Sequence, residues 1–529
     1  MSGRNFICAI VDAGRRHPER LALAVPQADG RVERTRYGEL LDEVARTQSA
    51  LRRLGLAQGD RVLLAARPGR ALYVLVIALL GQGLVPVLID SGMTAARKRA
   101  ALKASGARHV IGTRALLRFW WLLPALWRLR RLAVDGAALG VGDLRRHADA
   151  NPHEVTCLAL PDEAHGLLTF TSGSTGAPKG ADRTHGSLIA QHEAIRAHWP
   201  DRDDDTDLPC FPVLVLHNLC CGIRTVLPDA DLAAPGRVDG ARVLAQLAQE
   251  NITRVAGAPA YVARLCAAAE AAGLTFAGVR SLVIGGSTVS TALAARCRAV
   301  FPQAEVRIVY GSTEAEPIAD VSADELLREG DSATGHLVGL PADMACVCIV
   351  ATDRPLTNEA EVQAAAVADG VIGEILVAGP HVLKRYLDND AATRESKIAR
   401  ADGTVWHRTG DAGYRDAKGR LWLCGRVSDA LQVAGTTRYP FEFEKPLDAL
   451  PGVLRSALLM HAGRPLLVLE GRPDTAALRD ALARLGLLPL PLLRVAALPV
   501  DGRHNSKIDR PALRAALAAG RLRSTEELA

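Results

Sequence analysis

None of the ten cysteines forms a CxxC pair, and their spacing follows no regular framework. A structural zinc site needs four convergent ligands and a disulfide scaffold needs patterned cysteines, so the pattern predicts buried free thiols in a reducing compartment. Long apolar runs are missing as well. Nothing approaches the roughly 18–20 residues that span a bilayer. The opening MSGRNFICAIVDAGRRHPER has no uninterrupted apolar stretch of signal-peptide length, so a cytoplasmic location is expected. No charge sign dominates: 64 Lys and Arg against 58 Asp and Glu leave +6 on 529 residues, too little to argue for a nucleic-acid partner. Internal repeats and low-complexity tracts are absent too. What remains, 49% hydrophobic and 23% charged residues, is an ordinary globular composition in a chain too long for one compact core.

Strand-like apolar runs alternate with helical periodicity over the first four hundred or so residues. RVLLAA at 61–66, VPVLID at 85–90, HVIG at 109–112, LLTFTSG at 167–173 and LVIGG at 282–286 follow this habit, and VRIVYGSTE at 306–314 ends in a polar turn. The alternation predicts an α/β fold, with parallel sheets and helices on both faces forming a large N-terminal domain over 1–427. Ligands gather beyond the carboxyl ends of such strands. The texture changes near 428, predicting a small α+β C-terminal domain over 428–529.

TFTSGSTGAPKG, residues 169–180, follows the apolar pair Leu167-Leu168 with a loop of glycines and small hydroxyls. Glycines let successive N–H groups turn toward one anion, hydroxyls add donors without bulk, and Lys179 adds a mobile cation. A Walker loop would end in GK[ST], but Gly180 follows Lys179, and GxGxxG is also missing here. A plain surface turn is the bland alternative. At this point the stretch TSGSTGAPKG resembles the phosphate loop of the adenylate-forming superfamily of acyl-CoA synthetases, peptide-synthetase adenylation domains and luciferases. Further motifs follow in the family's order between about 165 and 510.

The resemblance implies a site residue by residue. Thr171, Ser172, Gly173, Ser174, Thr175, Gly176 and Lys179 would hold ATP phosphates. Gly285 and Gly286, in GGST, would border the adenine and the acyl pocket. In YGSTEAEP, Tyr310 would stack on adenine, Gly311 and Ser312 would line the nucleotide, Thr313 would touch phosphate or carboxylate, and Glu314 would hold Mg²⁺. A hard divalent cation wants carboxylate oxygen, and an aromatic face suits a purine. In HRTGDAGYRDAKGRLWLCGRVSD, Asp411 would grip both ribose hydroxyls, since one carboxylate accepts two O–H donors, and Arg426 would contact ribose or phosphate. GTTRYPFEFE fits the pattern GxxxxPxExE through Gly435, Pro440, Glu442 and Glu444, the two glutamates being readable also as residues that simply cap or solvate the following helix. In RHNSKI, Lys507 would bridge the substrate carboxylate and the α-phosphate during adenylation. A domain rotation would follow, with Ser428 where many members carry Asp or Lys at the hinge.

RHNSKI, the WHR and WLCGR flanks, and FPVLVLHNLCCG are together similar to olefin-pathway β-lactone synthetases and the fatty acid–CoA ligases grouped with them. That branch implies adenylation of a fatty or 3-hydroxy fatty acid, then attack by the substrate's own hydroxyl or transfer to CoA or an acyl carrier protein. GTTRYPFEFE leans to the ordinary ligase pattern. A degenerate nucleotide-binding protein is the non-catalytic alternative. His217 is readable as a pocket wall, a base on an incoming hydroxyl, or a satisfied core histidine. RALLRFWWLLPALWRLRR at 114–131 holds three of the six tryptophans with arginines toward both ends. As a helix it would lie at a lipid surface or guard an acyl entrance, or be partly buried and kinked near Pro124.

Overall fold

The protein is described here from a computed structural model, covering residues 3–90, 92–150, 154–171, 178–232, 234–330, 334–352, 355–501, 507–522 and 526–528. The phosphate-loop residues Ser172, Gly173, Ser174, Thr175 and Gly176, and the side chain of Thr171, lie outside the described parts.

Among the described residues two large sheets form the body. The first is parallel through Leu21–Pro26, Arg224–Val226, Thr206–Pro209, Arg254–Gly257, Ser281–Gly285 and Glu305–Ser312. The second is parallel through Gly142–Asp143, Arg130–Ala133, His109–Gly112, Arg61–Ala65, Val85–Ile89 and His165–Thr171. Inner strands such as Val85–Ile89 and Ser281–Gly285 are short apolar runs because both of their faces are covered. The helix Arg70–Gly81 explains much of the cover. Its residues 72–81 are all buried, and it shares one core with Leu23 of the first sheet and Val62, Leu64 and Ile111 of the second. A helix apolar all round has no face to give to water, so it sits between layers.

The expectation of parallel sheets holds only for these portions. Beyond Glu305–Ser312 the first sheet turns antiparallel through Ala315–Ser322, His336–Pro341, Leu421–Arg426, Val405–Arg415, Gly373–Ala378 and Cys346–Val350. Such strands tolerate polar residues on one face, so VWHRTGDAGYR belongs to a strand despite its many polar positions. After the short turn Val427–Asp429, residues 453–528 contribute a separate four-stranded sheet. Arg510 ties this unit together: it is 2.5 Å from Glu444 and donates to the Leu458 carbonyl at 2.9 Å.

Two expectations are corrected. Residues 114–131 are not one helix: a short helix Arg114–Leu117 gives way to single turns at Trp120–Leu122 and Pro124–Leu126 and the strand Arg130–Ala133. Pro124 has no N–H, and it holds Leu123 at φ −118°, ψ 86°, outside helical space. The cysteines are unpaired as expected, but burial is not uniform. Cys346, on the edge strand Cys346–Val350, is exposed.

Inside the first sheet, Asp207 is fully buried, and Asn218 donates to its Oδ2 at 2.8 Å. Asp207 Oδ1 and Asn218 Oδ1 have no partner among the described residues. Burial pushes the Asp207 carboxyl up to about 6, against the pull of Arg254 and Asn218. The folded state therefore keeps a proton that the unfolded chain loses, and stability falls as pH rises from about 4 to about 6. Asp207→Asn is expected to raise stability by about 3 kcal/mol near pH 8, with the gain vanishing near pH 4. Chemical denaturation at both pH values checks this, and a gain of equal size at both would remove charge as the cause.

Candidate active site

The carboxyl ends of the two parallel portions face a common set of polar side chains. The strand His165–Thr171 leads into the glycine loop, and Lys179 opens the return strand Lys179–Thr184. Its ammonium lies 5.2 Å from the ring centre of Tyr386 and 3.9 Å from Glu395. Arg183 on the same strand donates to Thr169 Oγ1 at 2.6 Å and to the Thr313 carbonyl at 3.0 Å. One guanidinium thus clamps the root of the first loop to the second motif, which comes from the other sheet.

Tyr310, Gly311 and Ser312 end the strand Glu305–Ser312, and the Ser312 hydroxyl accepts from the Glu314 amide at 3.2 Å, pinning the turn at Thr313 and Glu314. Gly285 ends the neighbouring parallel strand opposite Val309. Gly286 follows at φ +89°, in the region that favours glycine.

Tyr310, Asp411 and Arg426 meet although they are far apart in sequence. A register shift between Ala412 and Gly413 places Asp411 directly across from Arg426. Gly410 is at φ +69°, which explains the glycine of the TGD triplet. The Tyr310 hydroxyl donates to Asp411 Oδ2 at 2.8 Å, and Arg426 Nη1 lies 3.1 Å from Oδ1 while donating to the Thr409 carbonyl at 2.7 Å. Asp411 beside it, ahead of the opposing effect of burial, raises the affinity of Arg426 for its proton. A carboxylate offers about four lone-pair sites, so Asp411 keeps capacity for two hydroxyl donors. Glu374 supports the turn from behind, holding Arg408 with two contacts of 3.0 and 2.5 Å and accepting from the Gly410 amide at 3.3 Å.

Around Glu314 the charges are arranged for an ionised carboxylate. Tyr386 donates to its Oε1 at 2.8 Å. Burial works against the charge, but neighbouring Lys397 and the Tyr386 hydroxyl hold the carboxyl well below its ordinary range. Lys397 is buried with its Nζ unpartnered among the described residues, 5.8 Å from the Tyr386 ring centre, and burial brings its ammonium down to about 7. His407, also buried, is kept neutral by burial and by Lys397.

Sequence reading missed Arg183, Glu374, Tyr386 and Lys397. They sit between motifs, where only tertiary contacts give them a role. Glu442 accepts from the Tyr439 amide at 2.5 Å and from Arg438 at 2.6 Å, and Glu444 pairs with Arg510, so both glutamates brace the C-terminal unit. Lys507 is exposed; its amide donates to Asp501 Oδ1 at 3.1 Å, and residues 502–506 lie outside the described parts. His217 is buried with its Nδ1 3.0 Å from His192 Nδ1. Burial keeps both imidazoles neutral, with His192 at about 4, so one shared proton satisfies the pair and the core reading of His217 is favoured. Cys221 completes a potential ligand trio with them, its Sγ lying 3.7 Å from His217 Nε2.

The profile described as AMP-binding enzyme matches residues 10–387. An olefin beta-lactone synthetase of Stenotrophomonas maltophilia (strain K279a) is 31% identical, over 96% of this chain and 97% of that protein. One from Xanthomonas campestris pv. campestris is 30% identical, over 96% of each. Among solved structures, the anthranilate CoA ligase AuaEII in complex with anthranoyl-AMP superposes with a TM-score of 0.80 at 20% identity, covering 98% of this chain and 99% of that one.

Proposed function

Because the chain belongs to the AMP-binding enzyme family and is an ATP-dependent acid ligase, we propose that it adenylates a 3-hydroxy fatty acid and closes the acyl-adenylate to a β-lactone. The observation that carries the adenylation reading is the meeting of Tyr310 with Asp411, 101 residues further along the chain, and of Asp411 with Arg426. A carboxylate oxygen attacks the α-phosphorus of ATP, an anhydride bond forms and pyrophosphate leaves. The substrate's 3-hydroxyl oxygen then bonds to the acyl carbon, AMP departs, and the hydroxyl proton passes to solvent. The lactone step rests on the end-to-end likeness to two olefin beta-lactone synthetases.

Asp411 would accept both ribose hydroxyls, and Lys179 with the loop amides would take the phosphates. The donor set at Glu314 fits Mg²⁺: a carboxylate held ionised is the hard oxygen ligand that ion prefers. When bound, the ion would supply positive charge against the triphosphate. We read 1–427 as the nucleotide-binding body and 428–529 as a mobile unit that swings Lys507 to the reacting carboxylate. Its hinge would be the turn holding Ser428, next to Asp429, which pairs with Arg514 at 2.8 Å.

Transfer to CoA or an acyl carrier protein is the second reading. It is favoured by Gly435, at φ +78° with open space where a Cβ would stand, which leaves the turn open to an approaching thiol arm. Incubation with ATP, Mg²⁺ and a 3-hydroxy fatty acid, with and without CoA, separates the two by mass spectrometry. Lactone is expected without CoA; strict dependence on CoA removes the lactone step.

A further inference from the structure

Residues 114–131 hold large apolar side chains in water to an extent seen nowhere else in the described chain. Six of the twelve exposed large hydrophobic residues described fall between 116 and 127: Leu116, Phe119, Trp121, Leu122, Leu123 and Trp127. Clustered exposure of this kind marks a contact surface for membrane or protein. The segment is well rooted, since Leu117, Leu126 and Leu129 are buried in one cluster with Leu168 and Phe170.

Two further observations choose between those surfaces. First, two of the segment's three indoles and its Arg131 find their hydrogen-bond partners in nearby backbone carbonyls. Trp120 Nε1 donates to the Leu139 carbonyl at 2.7 Å and Trp127 Nε1 to the Trp121 carbonyl at 3.1 Å. Arg131 donates to the carbonyls of Leu126, Trp127, Leu129 and Gly140 at 2.8, 3.1, 2.9 and 3.0 Å, with its guanidinium 3.7 Å from a Trp120 ring centre. A surface that enters hydrocarbon must bring its hydrogen bonds with it, whereas a protein interface keeps water at its rim. Second, the charge is of one sign: five arginines and no carboxylate in 114–131. Arg118 and Arg128 are exposed beside the apolar tip. Indole rings over a cationic rim complement an anionic lipid headgroup layer.

We propose that residues 114–131 form a membrane-docking surface, seating Trp121, Leu122, Leu123 and Trp127 at the headgroup boundary of an anionic bilayer. Arg118 and Arg128 then lie against lipid phosphates. The docking goes beyond the adenylation reading and does not depend on it. The substrate class proposed above gives it a use, since a long-chain acid partitions into bilayers.

The test is sedimentation of the full chain with phosphatidylcholine vesicles, with and without added phosphatidylglycerol. Binding is expected with the anionic vesicles, weakening as salt is raised. Trp121→Ser with Leu122→Ser and Leu123→Ser is expected to stay in the supernatant. Arg118→Gln with Arg128→Gln is expected to weaken binding roughly thirtyfold, about fivefold for each basic residue. All five side chains are exposed, so the melting temperature and pyrophosphate release with a short water-soluble acid are expected to match wild type. The proposal is overturned if wild type ignores anionic vesicles or if the triple serine variant sediments as wild type does. It is also overturned if gel filtration shows a dimer that the triple variant dissolves, since the face would then join two copies.

Discussion

Replacing Lys507 with alanine is expected to lower carboxylate-dependent pyrophosphate release by about 10²–10³-fold, the usual cost of removing one preorganised donor from a site where charge develops. ATP affinity is expected to stay nearly unchanged. The reason lies in where the two sets of groups are attached. The residues proposed to hold the nucleotide, Tyr310, Asp411, Arg426 and Lys179, come from the two large sheets, whereas Lys507 belongs to the C-terminal unit. A carboxylate and an α-phosphate repel each other, and a cation placed between them lowers the barrier only while they react. The side chain is exposed, so its loss leaves packing alone and the melting temperature is expected to hold. Pyrophosphate release and ATP binding, measured on the same preparation, check both halves. Full activity in the variant would dismiss the lysine's assignment.

Glu314→Gln is expected to have a comparable effect on rate, about 10²–10³-fold, by a different route. An amide oxygen still accepts from Tyr386 but carries no charge for Mg²⁺ and none to offset Lys397. The variant is therefore expected to need far more Mg²⁺ for the activity that remains. Tyr386→Phe is the informative companion, because it deletes one hydrogen bond and leaves the carboxylate ionised. Its loss is expected to be much smaller. A Mg²⁺ titration of pyrophosphate release for the three proteins distinguishes a metal ligand from a merely structural carboxylate. If Glu314→Gln kept the wild-type Mg²⁺ dependence, Glu314 would not be the ligand.

Local pattern alone determined a good deal of this protein. Short apolar runs such as Val85–Ile89 and Ser281–Gly285 read as buried parallel strands because both their faces are covered, a property written residue by residue. The TSGSTGAPKG, YGSTE, TGD and SKI stretches are legible through their resemblance to the superfamily's motifs, each confined to a few consecutive positions. What tertiary structure decided was every relation between positions far apart. The register shift at Gly413 puts Asp411 opposite Arg426, and Arg183 reaches from one sheet to the Thr313 carbonyl of the other. Lys397 beside Glu314 and His217 against His192 are of the same kind. Periodicity carries information over the few residues that share one element's face, whereas these contacts arise from how whole sheets stack. The tryptophan segment belongs to both sides of that line: its composition left a lipid-facing and a partly buried helix both open, and only the fold, with Pro124 breaking the helix, showed which side chains were left in water.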